Sequence, residues 1–265
     1  MVLAALLAVA SITPAVATDR SLRVCADPNN LPFSNERGEG FENRLAALLA
    51  EELGARLQYT WWPQRRGFVR NTLRAGRCDV IVGVPAGYGL VLTTRAYYRS
   101  TYVFVARADA PVAVRSLDDP VLRTLRIGVH LIGDNYMNPP PAHALARRGI
   151  TGNVVAFTVY GDYATPNPPA RILDAVIRRE IDVAIVWGPL AGYFAREQSA
   201  PLQVRPLVPT ADSDGLPFTF SIAMGVREGE NALRDELQAA LDRRASDVTR
   251  LLDAYGVPRI ADPSP

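Results

Sequence analysis

Along residues 21–84 the hydrophobic pattern switches from a period of two to a period near 3.6 and back again, the alternation that builds a mostly parallel sheet with crossover helices. A strand is predicted over residues 22–26. Phe41, Leu45, Leu48, Leu49 and Leu53 then recur on one face of a helix, and Gly54 stands where a left-handed cap would end it. Leu57, Tyr59 and Trp61 alternate as a second strand with Trp61 turned inward. Phe68, Val69 and Leu73 make a short helix, and residues 78–84 form a third strand.

The same grammar restarts after Pro111. Residues 125–129 read as a strand, 140–148 as a proline-led helix stopped by Gly149, and 154–160 as another strand. Asn167 ahead of Pro168 and Pro169 suits an N-cap, and Ile172, Leu173, Val176 and Ile177 supply the next buried stripe. The run 181–187 is apolar enough to belong at the centre of a sheet. A helix over 189–198 and a strand over 202–208 follow, and 218–226 leads back to the first block. Residues 231–255 carry one apolar face of one or two helices, which needs a sheet to cover.

The resulting expectation is an α/β protein of two lobes, with mixed sheets flanked by helices and a cleft between. Residues 18–108 and 218–265 make lobe 1 and 109–217 make lobe 2, the chain crossing near 103–112 and 207–220. Sites in such lobes form outside the carboxyl ends of strands. That rule places residues 27–33, the loop after Val84, residues 130–136 and residues 187–189 around the cleft.

Composition narrows the chemistry. All 29 basic residues of the 265 are arginine, which removes the phosphate-binding lysine of a P-loop and the Schiff-base lysine of a pyridoxal phosphate enzyme. The two histidines, His130 and His143, do not make a histidine-rich zinc centre. A net charge of +2 without a basic run argues against nucleic acid as a partner. The apolar run of residues 2–10, followed by Ala15, Val16 and Ala17, reads as a signal peptide over residues 1–17, its missing basic start suggesting a true initiation site a few codons upstream. No stretch approaches the length of a membrane span. In an oxidising compartment the two cysteines, Cys25 and Cys78, are expected to pair, with buried free thiols as the alternative.

The runs WWPQRRGFVRNTL, TTRAYYRSTYVFV, VYGDY and DVAIVWGPLAGYFA resemble the MxaJ/XoxJ proteins, a branch of the periplasmic solute-binding superfamily. The resemblance implies a two-lobed periplasmic binding protein type II-like fold and a non-catalytic accessory role beside a PQQ-dependent methanol dehydrogenase. The implied partner is the dehydrogenase's XoxF- or MxaF-type large subunit, with its c-type cytochrome as a second candidate. No cofactor is implied for this chain, and the sequence has no Cys-x-x-Cys-His for a c-type haem.

Amino-acid binders of the superfamily hold the ligand carboxylate with an arginine beyond the third strand and a Gly-Thr helix start in the second lobe. Here those places read Gly83 to Tyr88, without arginine, and Gly133-Asp134, where an aspartate would itself satisfy the helix terminus. Arg95 is a weak substitute. Asp27 resembles the aspartate that faces a ligand ammonium, and it could equally cap the following turn. The expected cleft set is Asp27, Asn29, Phe33, Trp62, Arg65, Arg66, Tyr88, Tyr97, Asp134, Tyr136 and Trp187, an aromatic and arginine-bearing surface of the kind enriched at protein interfaces. Two rivals remain: a solute receptor for an ABC importer, and an enzyme, for which no Gly-x-Ser-x-Gly, His-Glu-x-x-His or credible triad is present.

Overall fold

The computed structural model describes residues 20–110, 112–131, 138–158, 163–198 and 200–261. The expected signal peptide, Asp134 and Tyr136 lie outside them. The first block runs β1 (Ser21–Ala26), the short strands β2 (Asn29–Asn30) and β3 (Ser34–Asn35), α1 (Phe41–Glu52), β4 (Arg56–Trp61), α2 (Phe68–Asn71), β5 (Val80–Pro85) and β6 (Leu92–Thr93). The long strand β7 (Tyr98–Arg107) leads out of it. The second block holds β8 (Ile127–Leu131), α3 (Pro140–Arg147), β9 (Val154–Thr158), α4 (Arg171–Ile177), β10 (Val183–Trp187), α5 (Gly188–Glu197) and β11 (Leu202–Pro206). Then β12 (Thr219–Val226) returns, followed by α6 (Asn231–Arg243) and α7 (Ala245–Ala254).

One ten-stranded sheet runs through both lobes in the order β4-β1-β5-β12-β7-β10-β8-β9, with β11 on β7 and β6 on β12. Strands β4, β1 and β5 are parallel, as are β10, β8 and β9, whereas β7 and β12 run antiparallel to their neighbours. The two crossing strands are paired with each other from Tyr98↔Ile222 to Thr101↔Thr219, so the hinge region is a hydrogen-bonded ribbon. Beyond it β7 turns to β10 and β11 in the second lobe.

Alternation along β1 shows how each face acquires a core. Leu22, Val24 and Ala26 pack with Phe41, Leu45 and Leu49 of α1 and Leu237, Leu241, Val248 and Leu252 of the last two helices. Cys25 faces the other way, into a cluster with Phe68, Leu73, Cys78 and Val84. There Cys25 and Cys78 form a disulfide, their Cα atoms 5.5 Å apart. In the second lobe Ile172, Leu173 and Val176 cover one face of β10, and Leu122, Leu145 and Ile150 pack on the other. Trp61 lies half-buried against the first core and stacks on Tyr59 at 4.5 Å. Asn167 departs from its expected capping role: its φ of 47° is left-handed and its side chain makes no cap bond, because Pro168 and Pro169 continue as a short 3-10 turn.

The end of α7 and the tail brace the back of the crossing. Ser100 Oγ donates to the Pro258 carbonyl at 2.6 Å and the Ile260 amide donates to the Arg99 carbonyl at 3.0 Å. A side chain at Gly192 of α5 would collide with the Gly256 carbonyl, so glycine there is what lets the tail approach the second lobe. Tyr193 and Tyr255 stack at 5.6 Å across the same seam.

Candidate functional site: the interlobe cleft

The cleft opens at the carboxyl ends of β1, β5, β8 and β10, as the topology of open α/β sheets dictates. These ends deliver Phe33, Pro85, His130 and Trp187 to a cavity of about 360 Å³. Its wall is built of rings: Trp187 meets Tyr102 edge-on at 5.4 Å and Phe220 at 5.8 Å, and Pro139, Pro141 and Pro169 line the side of the second lobe. An adjoining cavity of about 190 Å³ shares Asn30, Phe33 and Trp187 and reaches Glu42, Gln64 and Tyr98. Among the described residues, none that lines either space is an arginine.

Among the described residues that border this space, His130 and Glu42 are both driven toward their neutral forms. Burial holds the His130 imidazole down to about 4, against the opposing pull of the Pro169 backbone. Burial pushes the Glu42 carboxyl up to about 8, with the nearby negative charge of Asp27 acting in the same direction. Glu42 sits in the first turn of α1, and its carboxyl occupies the space a side chain at Gly83 would need. Burial also raises Tyr98 well above the ordinary tyrosine range, with the charge of Glu42 acting in the same direction.

The mouth of the cleft is closed by contacts between the lobes. The Asp27 carboxylate accepts from the Asn29 amide at 2.8 Å, the Gln64 amide at 2.6 Å and the Tyr163 hydroxyl at 2.9 Å. Asn29 Nδ2 donates to the Thr165 carbonyl at 2.9 Å, and the Arg65 guanidinium lies 5.1 Å from the centre of the Tyr163 ring. Burial, followed by the charge of Asp27, raises the Tyr163 phenol to about 12, so its proton stays available for this bond. Leu31, on the first-lobe loop between β2 and β3, is buried within the core of the second lobe.

The structure sorts the residues singled out from the sequence. Phe33 and Trp187 line the cleft, and Asp27, Asn29 and Arg65 stand at its mouth, with Asp27 occupied by turn and lobe contacts. Tyr97 is not a wall residue: it packs against the first core and its hydroxyl donates to the Val82 carbonyl at 3.2 Å. Trp62 likewise leaves the cleft, covering the cluster around the disulfide with Arg77 5.2 Å from its ring centre. Arg66 and Tyr88 are exposed outside the cavity. Arg95 pairs with Asp242 of α6 at 2.6 Å. Glu42, Tyr163 and Phe220 escaped the sequence reading. For Glu42 a signal existed, since it precedes Leu45 and Leu49 by three and seven positions and so lies on the edge of the buried stripe.

Residues 22–257 match the family of bacterial extracellular solute-binding proteins, family 3. The chain belongs to this family. Within family 3 it falls in the MxaJ/XoxJ group. Protein MoxJ of Methylorubrum extorquens AM1 is 33% identical over 245 residues, covering 90% of this chain and 81% of MoxJ. The crystal structure of the periplasmic binding protein XoxJ from Methylobacterium extorquens AM1 superposes with a TM-score of 0.75 at 36% identity, covering 91% of this chain and all of XoxJ. That of MxaJ from Methylophaga aminisulfidivorans MPT gives a TM-score of 0.76 at 25% identity over 91% of this chain and 100% of MxaJ. Among the described residues no helix is long and apolar enough to cross a membrane.

Proposed function

We propose that this family 3 protein is a non-catalytic periplasmic accessory protein of a PQQ-dependent methanol dehydrogenase, binding the dehydrogenase at the aromatic cleft and its rim and assisting its maturation or activation. The observation that carries this reading is the likeness to MoxJ along 90% of the chain. The cleft chemistry supports it. A receptor for amino acids needs a free cation for the carboxylate and a free anion for the ammonium, whereas here the described lining residues include no arginine and Asp27 is spent on its own turn and on Tyr163. The exposed Arg66, Tyr88 and Arg65 give the rim the residue types that dominate binding energy at interfaces.

The test is affinity capture with the tagged protein from the periplasm of its source organism grown on methanol, with mass spectrometry of what is retained. Recovery of the dehydrogenase large subunit supports the reading, and recovery of importer components alone transfers it to solute uptake. Arg66→Ala with Tyr88→Ala should lower capture roughly tenfold while leaving the melting temperature within a few degrees, because both side chains are exposed.

A further inference from the structure

The smaller of the two cavities, of about 190 Å³, is bordered by a carboxyl group that the fold leaves without a partner. Glu42 reaches it from the first turn of α1, and its Oε1 fills the place a Cβ on Gly83 would take. Gly83 lines the same cavity, so the carboxyl itself, and not only the stem that carries it, stands at the wall. Neither oxygen is sealed off, in contrast to the side-chain nitrogen of Asn43 beside it in the helix. Among the described residues no hydrogen bond or opposite charge reaches this carboxyl, and Asp27 acts on it with a charge of its own sign. The other titratable groups that feel it are Tyr59 of β4 and Tyr97 and Tyr98 of β7, all three raised by burial and therefore neutral. Residues 132–137 and 159–162, which follow β8 and β9 in the chain, contain no basic side chain that could supply the missing charge.

We propose that this cavity binds a small organic ammonium ion, its charge meeting the Glu42 carboxylate and its alkyl part packing among Phe33, Tyr98 and Trp187. A carboxylate taken out of water without a counter-ion is costly, and a cation beside it offsets that cost through charge-assisted hydrogen bonds. The three rings border the same space, and aromatic rings attract ammonium groups to their faces. Asn30 and Gln64, joined by a 3.4 Å hydrogen bond, add amide groups to the wall. The ion is a simple amine and not an amino acid, because a ligand carboxylate would meet no arginine among the described lining residues. The inference rests on the cavity alone and stands whether or not the rim also docks a protein.

The experiment is calorimetric titration of the full protein with cyclohexylammonium, cyclohexanol and cyclohexanecarboxylate, three probes of one shape and different charge. Cyclohexylammonium should bind about tenfold more tightly than cyclohexanol, the difference a charge-assisted hydrogen bond makes, and the carboxylate should not bind. Binding should also release a proton, because burial and Asp27 hold the Glu42 carboxyl at about 8 until the cation selects its ionised form. Cyclohexylammonium affinity should therefore rise about eightfold between about pH 7 and pH 8.5. In Glu42→Gln that rise should vanish and the affinity should fall to that of cyclohexanol, while cyclohexanol itself still binds within about twofold, which reports that the cavity remains folded. Equal binding of cyclohexanol and cyclohexylammonium, binding of the carboxylate, or a Glu42→Gln protein that keeps the cation affinity and its pH dependence would each overturn the proposal.

Discussion

His130 and Glu42 should give the protein opposite responses to pH. The imidazole titrates near 6.5 in an unfolded chain and is held to about 4 in the fold, so the unfolded state takes up the proton first on acidification. Stability drains away between about pH 6.5 and 4 and levels off below, a loss of about 3 kcal/mol. Glu42 does the reverse. Its carboxyl moves from 4.5 to about 8 on folding, so the folded state keeps the proton longer and stability falls as pH rises through that window. Urea unfolding at pH 4, 5.5, 7 and 8.5 (roughly the two windows) should show a shallower acid slope in His130→Leu and a shallower alkaline slope in Glu42→Gln. Asp212, held low by hydrogen bonds from Arg148 and Arg147, adds its own loss of stability only below about pH 4, beneath this series. A slope unchanged by its own variant would contradict the assignment. At this scale the sequence spoke unevenly: the carboxyl-end rule brought out Phe33 and Trp187, but aromatic character alone misplaced Trp62 and Tyr97. Alternation along a strand tells which face a residue takes and says nothing about where the sheet ends, so Trp62, just past β4, turns onto the disulfide cluster instead.

At the scale of elements, the disulfide joins β1 to the residue just ahead of β5, its cysteines 53 positions apart. Cross-linking a loop of that length removes enough unfolded-state entropy for about 4 kcal/mol of stabilisation. Cys25→Ala with Cys78→Ala should therefore lower the urea midpoint substantially while retaining the circular dichroism of the fold, and the unfolded wild type should titrate with no free thiols. The β–α alternation was readable because each element carries its own period: β1, α1, β4 and β5 in one lobe and β8, α3, β9, α4 and β10 in the other all fall on or within a few residues of the predicted segments. What could not be read were the groups that reach between elements. Tyr163 finds Asp27 from 136 positions away, and no local pattern encodes such a bond.

Across the whole molecule, Leu31 anchors one lobe in the core of the other, and the Tyr163–Asp27 and Asn29–Thr165 bonds fasten the mouth beside it. Truncating a buried leucine costs about 2–5 kcal/mol, and here part of that cost is borne by lobe closure. Leu31→Ala combined with Tyr163→Phe should shift the protein toward an open form, seen as a larger radius of gyration in solution scattering. An unchanged radius would mean that the ribbon and the tail hold the lobes together by themselves.

That ribbon has a mechanical meaning. Thr101 and Tyr102 of β7 stay hydrogen-bonded to the Phe218–Thr219 segment where the chain passes between lobes, so the lobes cannot part by swinging on slack connections. They can separate only by winding a two-stranded torsion bar, clamped behind by residues 256–260. Deuterium uptake should then remain slow at the Tyr102 amide even in variants whose cleft stands open, and the protein should spring shut whenever whatever holds it open departs.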